Sequence, residues 1–270
     1  DLERVADTLV SRDYQEVITY SFIDSNANEL LTGETSELAL SNPISSEMSI
    51  MRGSLLPGML SAASTNLSRQ QERVRFFEIG KTFHGSLKKP QETVRVSFLA
   101  LGPGTEEQWA TSSQHIDFFD IKGDLEALLQ MTGCVAEFDV VSTEHVALQA
   151  GQAACIERNG ERIGIIGKLH PRIAKAFNIK KDIFVVEIDA EKMFSTRVPI
   201  ATGISKFPTI RRDIAVIIDD NISASELVRA VELAVPNLVR RVTIFDVYRG
   251  PGIGAGLKSV ALSLILQETS

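Results

Sequence analysis

Leu55, Leu56, Met59, Leu60, Ala63 and Leu67 recur at three- and four-residue steps, which places them on one face of a helix. Pro57 stands near the start of that helix, where its missing N–H and fixed φ do no harm. Directly after it, Val74, Phe76, Ile79 and Phe83 form an apolar strand, with Gly80 expected to relax the backbone inside it. An amphipathic helix delivered onto an apolar strand restricts the chain to folds in which a helix packs on a sheet.

The remaining segments extend that sheet. Leu2, Val5, Leu9 and Val10 predict a short helix, and residues 17–24 (VITYSFID) and 37–42 predict strands. Residues 84–90 read as a polar hairpin loop, and 93–101 (TVRVSFLAL) return as a strand. A helix is expected over 117–132, with Asp117 and Asp120 at its acidic start and Gly133 just past its end. Residues 135–141 predict a strand. Residues 153–158 and 161–169 flank Asn159-Gly160, a strong hairpin signal. A short helix at 171–177 and a strand at 183–188 follow. Hairpin-joined strands with helices beside them predict an α+β domain with one antiparallel sheet, the 55–68 helix packed on it. Beyond a linker at 195–206, a strand (211–219), a helix (222–235, with Ser223 and Ser225 as caps) and two strands (238–248 and 258–266) follow. That β-α-β-β order is the first part of a ferredoxin-like unit.

Composition narrows the function classes. Apolar residues at 44% and charged residues at 23% are ordinary for a globular chain, and no window has the apolar length of a membrane span. Net charge is −7, which argues against a generic nucleic-acid binder. The charge is uneven: residues 195–270 carry +2 and the remainder −9, so the C-terminal part is the better face for a polyanion. Cys134 and Cys155 lack C-x-x-C spacing and read as free thiols of a reducing, cytoplasmic compartment. The chain begins at Asp1 without Met or a signal-peptide layout, and reads as a fragment.

The wording is more specific than the pattern. Arg52-x-Ser-Leu-Leu-Pro-Gly, Asn66, Phe77-Glu78-Ile79-Gly80, Phe118-Phe119-Asp120-Ile121-Lys122-Gly123 and Gly164-x-x-Gly167-Lys168-Leu169-His170-Pro171 resemble the catalytic-like module of the bacterial phenylalanyl-tRNA synthetase beta subunit. Lys206-Phe207-Pro208-x-x-Arg211-Arg212-Asp213-Ile214-Ala215, Phe245-Asp246-Val247-Tyr248-x-Gly250 and Lys258-Ser259-x-Ala261 resemble the ferredoxin-fold anticodon-binding domain of the same subunit. The resemblance implies a class II synthetase-like antiparallel sheet with flanking helices over 1–194. It further implies a linker at 195–206 and a partial, truncated ferredoxin-like domain over 207–270. It also implies an α2β2 heterotetramer with an alpha subunit, tRNA as partner, and ATP and Mg²⁺ as cofactors of the whole enzyme rather than of this segment.

Under that resemblance the catalytic signatures are absent. The strand around Glu78 would run into Arg-x-Glu in an active copy, where the Arg forks onto a phosphate; here the positions read His84-Gly85-Ser86. The third signature would be a Gly-rich strand leading to Glu-Arg; here it reads Asp189-Ala190-Glu191-Lys192. A non-catalytic scaffold and tRNA-binding role is expected. The rivals are a free-standing RNA-binding or interaction protein that kept the fold, and an independent enzyme whose site the residues do not reveal. The loop 250–259 (GPGIGAGLKS) misses the phosphate-loop pattern and leads into a strand instead of a helix. His115, Asp117, Asp120 and Asp124 match no metal-ligand spacing, and no His has a Ser or Cys partner that would make a triad. RNA-binding candidates are Lys206, Arg211, Arg212, Arg249 and Lys258, with Arg240 and Arg241 as further basic residues. Phe207 and Tyr248 are candidates to stack a splayed base.

Overall fold

The computed structural model describes residues 1–110, 112, 114–194 and 205–268. The chain divides into two compact units, Asp1–Val198 and Pro199–Ser270. Most of the linker expected at 195–206, namely 195–204, lies outside the described residues.

In chain order the first unit holds α1 (Leu2–Ser11), β1 (Gln15–Glu16), β2 (Phe22–Ile23), α2 (Ser25–Thr32), β3 (Ile50–Met51) and α3 (Leu56–Ser68). There follow β4 (Val74–Ser86), β5 (Lys89–Leu101), α4 (Phe118–Gln130), β6 (Phe138–Ser142), β7 (Leu148–Arg158) and β8 (Glu161–Leu169). The unit closes with α5 (Pro171–Ala176), β9 (Ile183–Asp189) and α6 (Ala190–Met193). Seven strands make one sheet in the order β1-β4-β5-β9-β8-β7-β6. Every neighbouring pair is antiparallel except β1 with β4.

Period-two alternation gives the sheet two buried faces. Phe77, Val96, Phe98, Val186 and Ile188 point to one face and pack with Val5 and Leu9 of α1 and Ile121, Leu125 and Leu128 of α4. Phe76, Leu99, Leu101, Ile183 and Val185 point to the other and pack with Leu56, Met59, Leu60 and Ala63 of α3 and Ile173 of α5. Helices on both faces of a largely antiparallel sheet give the expected α+β class.

Several local expectations need correction. Residues 17–24 are not one strand. Gln15–Glu16 pairs with β4, Phe22–Ile23 pairs with β3, and between them the Thr19 hydroxyl donates to Glu78 Oε2 at 2.7 Å, drawing the chain off the sheet. Residues 37–42 form no strand; a single bridge joins Ala39 to Ile50. Residues 25–32 are a helix that apolar periodicity does not announce, although Asp24 accepts from Ala27 N–H and Gly33 closes it at φ +75. The loop expected at 84–90 shrinks to Leu87-Lys88, because the β4–β5 ladder continues to Ser86 opposite Lys89. Residues 135–137 are a 3-10 turn, so that strand begins at Phe138. Asn159-Gly160 forms the expected hairpin turn, with φ of 50 and 80.

Gly80 has a different task from the one expected. The Arg52 side chain is buried, its Nη1 donating to Glu78 Oε1 at 2.7 Å and to Thr19 Oγ1 at 3.0 Å, its Nε to the Lys81 carbonyl at 2.9 Å. A Cβ on Gly80 would stand 2.5 Å from Arg52 Nη2, so glycine makes room for the guanidinium. On the other side, Glu187 of β9 accepts from Ser54 Oγ at 2.9 Å and Leu55 N–H at 2.8 Å, capping α3 from a distant strand.

The second unit holds β10 (Ile210–Asp219), α7 (Ala224–Ala234), β11 (Val239–Tyr248) and β12 (Leu257–Leu266). Its strand order β10-β12-β11 is antiparallel throughout, the order 1-3-2 within a ferredoxin-like unit. Ser223 and Glu226 form a capping box at the start of α7.

Removing one partner of the Arg52–Glu78 pair strands a buried charge. Glu78→Ala should therefore cost about 3–5 kcal/mol of stability, seen as a lower denaturant midpoint in chemical unfolding followed by circular dichroism. Thr19→Val, which removes only the bridging hydroxyl, should cost clearly less.

Candidate functional site

The positions that would clamp a nucleotide in an active synthetase-like copy meet at a polar cleft of the first unit. One part of it is a cavity of about 280 Å³ whose lining includes Thr32, Ser54, His84, Arg95, Glu187 and Lys192. It shares Thr32, Glu34, Gly53 and His84 with an adjoining cavity of about 350 Å³, which is also lined by Ser86. Burial and the nearby Arg95 guanidinium push the His84 pKa below the ordinary imidazole value, so the ring is neutral at pH 7. Burial likewise lowers His145, with Arg162 adding to the effect. Lys192 is held outward by Glu161, Nζ to Oε1 at 2.7 Å. Asp189 caps α6 by accepting from Lys192 N–H at 3.0 Å. None of these groups forms the forked guanidinium arrangement that grips a triphosphate.

The acidic cluster around α4 is fully accounted for by folding. Asp117 and Asp120 form a capping box, and Asp124 accepts from Arg12 Nε at 2.6 Å, Tyr14 O–H at 2.7 Å and Arg75 Nη1 at 3.0 Å. Among the described residues no group of three His, Cys, Asp or Glu side chains is arranged to hold a metal.

The RNA-binding candidates separate by position. Val260 and Leu262 of β12 are buried, which marks the covered face of the second sheet. By register Arg212 and Ile214 belong to that face, opposite Leu264 and Leu262. Arg211 belongs to the other face and lies in a row with Ile265 and Arg241. A bulge at Phe245 shifts the alternation of β11, so Tyr248 lies opposite Ser259 on the same open face as Arg211. Without that extra residue Tyr248 would alternate to the covered face.

The charged candidates have individual partners. Arg211 forks onto Asp213, Nε to Oδ1 at 2.9 Å and Nη2 to Oδ2 at 3.1 Å, and this pair holds the Asp213 carboxyl below its usual range. Arg249 donates to Asp220 Oδ1, and Lys258 is buried with Nζ on the Asp220 carbonyl at 2.8 Å. Lys258 therefore ties the turn after β10 to β12 and is withdrawn from the surface. Phe207 and Tyr248 are both about half exposed, the Tyr248 hydroxyl donating to the Pro251 carbonyl at 3.2 Å. Lys206 precedes Phe207 on the segment whose carbonyl accepts from Gln267 Nε2.

Residues 1–190 match the model of the phenylalanyl tRNA synthetase beta chain CLM domain. The chain belongs to the phenylalanyl-tRNA synthetase beta chain family. Residues 205–270 match the ferredoxin-fold anticodon binding domain. The phenylalanine–tRNA ligase beta subunits of Shewanella oneidensis and Sodalis glossinidius are 40% and 42% identical to it, over 100% of this chain in each case. That of Yersinia pestis is 42% identical over the same share. The chain spans 34% of the length of each of these relatives. Among solved structures, the pyrrolysyl tRNA synthetase of Desulfitobacterium hafniense shares the fold, with a TM-score of 0.54 and 17% identity over 71% of this chain and 66% of that one. Family members are thus named as subunits of an aminoacyl-tRNA synthetase, and among the described residues no helix is long and apolar enough to cross a membrane.

The lowered imidazole pKa values carry a pH dependence. The unfolded chain binds these protons more readily than the folded one, so stability is held above the ordinary imidazole pKa and falls as pH drops below it. Replacing His84 and His145 by Gln should flatten the decline in unfolding midpoint between pH 7 and pH 5 relative to the parent chain.

Proposed function

We propose that this segment is a non-catalytic scaffold and tRNA-binding part of a phenylalanine–tRNA ligase beta subunit, working in the cytoplasm in an α2β2 assembly. The observation that carries the reading is the match, in order, to the beta chain CLM domain and to the ferredoxin-fold anticodon binding domain. The alpha partner would join phenylalanine to tRNA using ATP and Mg²⁺, neither of which this segment would hold. The substitutions His84, Ser86 and Lys192 at the would-be clamp positions support that division of labour.

An apolar docking surface fits the scaffold role. Ile18 is 90% exposed and Tyr20 68% exposed. They border a groove of about 600 Å³ lined also by Phe22, Met48, Pro57 and Phe177. The Thr19–Glu78 bond turns these two side chains outward, and an exposed apolar strip of this kind fits a protein partner. The alpha subunit is the occupant we assign to it.

For RNA, the open face with Arg211, Arg241 and Tyr248 joins cationic groups to a stacking ring. Arg212 belongs by register to the opposite face but is itself exposed on the edge strand β10, and Lys206, Phe207 and Arg249 flank the sheet.

Co-purification of full-length protein with an alpha subunit tests the reading. Ile18→Glu with Tyr20→Glu should abolish co-purification while leaving the unfolding midpoint unchanged; retained partner binding would remove this groove from the interface. In the full-length enzyme, Arg211→Ala with Arg212→Ala should weaken tRNA binding and lower the slope of log K against log salt by about 2. An unchanged slope would return both arginines to ordinary surface charge.

A further inference from the structure

Two residues of the segment Phe118–Gly123 contribute little to the fold. α4 buries Ile121, Asp124, Leu125, Leu128 and Leu129. At about 3.6 residues per turn these share one side of the helix, and the side directly opposite carries Phe119, Gly123, Glu126 and Gln130. Phe119 is 74% exposed, whereas its neighbour Phe118 packs against the core. The two rings meet edge to face at 5.8 Å, and the rest of the Phe119 ring gives up the stabilisation that burial would bring.

Gly123 is the second residue. It lies in the interior of α4, where glycine is the poorest helix former after proline. A Cβ built on it meets nothing within 4 Å, and its φ is not positive. Neither crowding nor backbone conformation therefore asks for glycine here, in contrast to Gly80, which makes room for Arg52. Residues four apart on a helix are neighbours, so the exposed ring stands beside a notch that the folded chain does not need. A departure from local helix preference without a gain inside the fold points to a contact outside it.

Charge decides what fits. Asp120 and Glu126 are exposed on either side of the notch, and exposed Asp117 stands at the start of the helix. Asp117 Oδ1 and Asp120 Oδ2 accept the first backbone N–H groups, yet both carboxylates keep their charge at the surface. Lys122, the single cation of α4, is paired with Glu126. A phosphate backbone would meet like charges here, whereas Lys or Arg side chains would meet opposite ones. Absence of a side chain at Gly123 lets a second helix cross at the short end of the usual interaxial range of about 8–10 Å.

We propose that this side of α4 receives a basic amphipathic helix of a protein partner, with Phe119 and Gly123 forming the contact and Asp117, Asp120 and Glu126 selecting its charge. α4 and α3 pack on opposite faces of the sheet, and the groove bordered by Ile18 and Tyr20 is lined by Pro57 and Ser61 of α3, so the two surfaces are separate. The inference stands whether or not the tRNA-ligase reading does.

The test uses the full 270-residue chain and a fluorescein-labelled peptide of Lys, Leu and Ala, about 18 residues long so that it can be helical by itself. A peptide of Glu, Leu and Ala of the same length is the probe of opposite charge. Fluorescence anisotropy should show saturable binding of the basic peptide, with a dissociation constant about tenfold below that of the acidic one. Gly123→Leu, which fills the notch, and Phe119→Ser should each weaken that binding about tenfold. Gly123→Ala should raise the unfolding midpoint, because alanine is the better helix former and the space is open. Where leucine lowers the midpoint, Glu126→Lys supplies the second reading: it should weaken the basic peptide and tighten the acidic one. Absence of saturable binding overturns the proposal. So does binding that neither Gly123→Leu nor Phe119→Ser weakens, which is attraction to the general negative charge of the chain. A lowered midpoint in Gly123→Ala overturns it by making the glycine structural, and loss of tRNA binding in these variants overturns it by making RNA the occupant.

Discussion

The buried pair of Arg52 and Glu78 is the interaction on which the first unit most depends. Its guanidinium reaches a carboxylate, a hydroxyl and a carbonyl, so the chain before α3, the segment around Thr19 and strand β4 meet at one group. Two charges removed from water are tolerated only when the remaining donors and acceptors are satisfied. Thr19 supplies that on the carboxylate, and Gly80 supplies the space on the sheet. The second carboxylate, Glu187, then fixes the other end of the same four-residue stretch by capping α3. A motif that reads in sequence as Arg52-x-Ser-Leu-Leu-Pro-Gly and Phe77-Glu78-Ile79-Gly80 is thus a joint between helix and sheet.

That joint also shapes the cleft beside it. Gly53 and Ser54 line the cavity and are held by the ion pair on one side and by Glu187 on the other. The cleft walls are therefore part of the fold's own bonding. His84 at its rim is kept neutral by burial and by Arg95, and Lys192 is turned toward Glu161. The groups that line this space carry both signs, Arg95 and Arg162 beside Glu34, Glu187 and Asp189.

The two units turn individual side chains by the same means. In β8 an extra residue moves Arg162 from the packed face to the cleft, and in β11 an extra residue moves Tyr248 to the open face beside Arg211. Because strand side chains alternate with period two, a single inserted residue reverses every side chain beyond it. One bulge thus decides on which face of the sheet a charged or aromatic group lies.

Much of the architecture was legible in the sequence. The helical stripe from Leu55 to Leu67, the Asn159-Gly160 turn, the Asp117 cap and the strand–helix–strand–strand order after Ile210 rest on local chemistry, which short stretches carry by themselves. The basic candidates were legible as residue types, and the family wording identified both units. Tertiary structure decided what depends on partners far away in the chain. Residues 17–24 look like a strand, yet Thr19 leaves the sheet for Glu78, and Gly80 serves a guanidinium from a different segment. Lys258 looks like an RNA contact, yet it is buried and donates to the Asp220 carbonyl. Arg162 and Tyr248 owe their faces to bulges whose extra residue shows only against the neighbouring strand. Local propensity and motif survive in one dimension, whereas register, burial and ion pairing are relations between distant residues that exist only once the chain has folded.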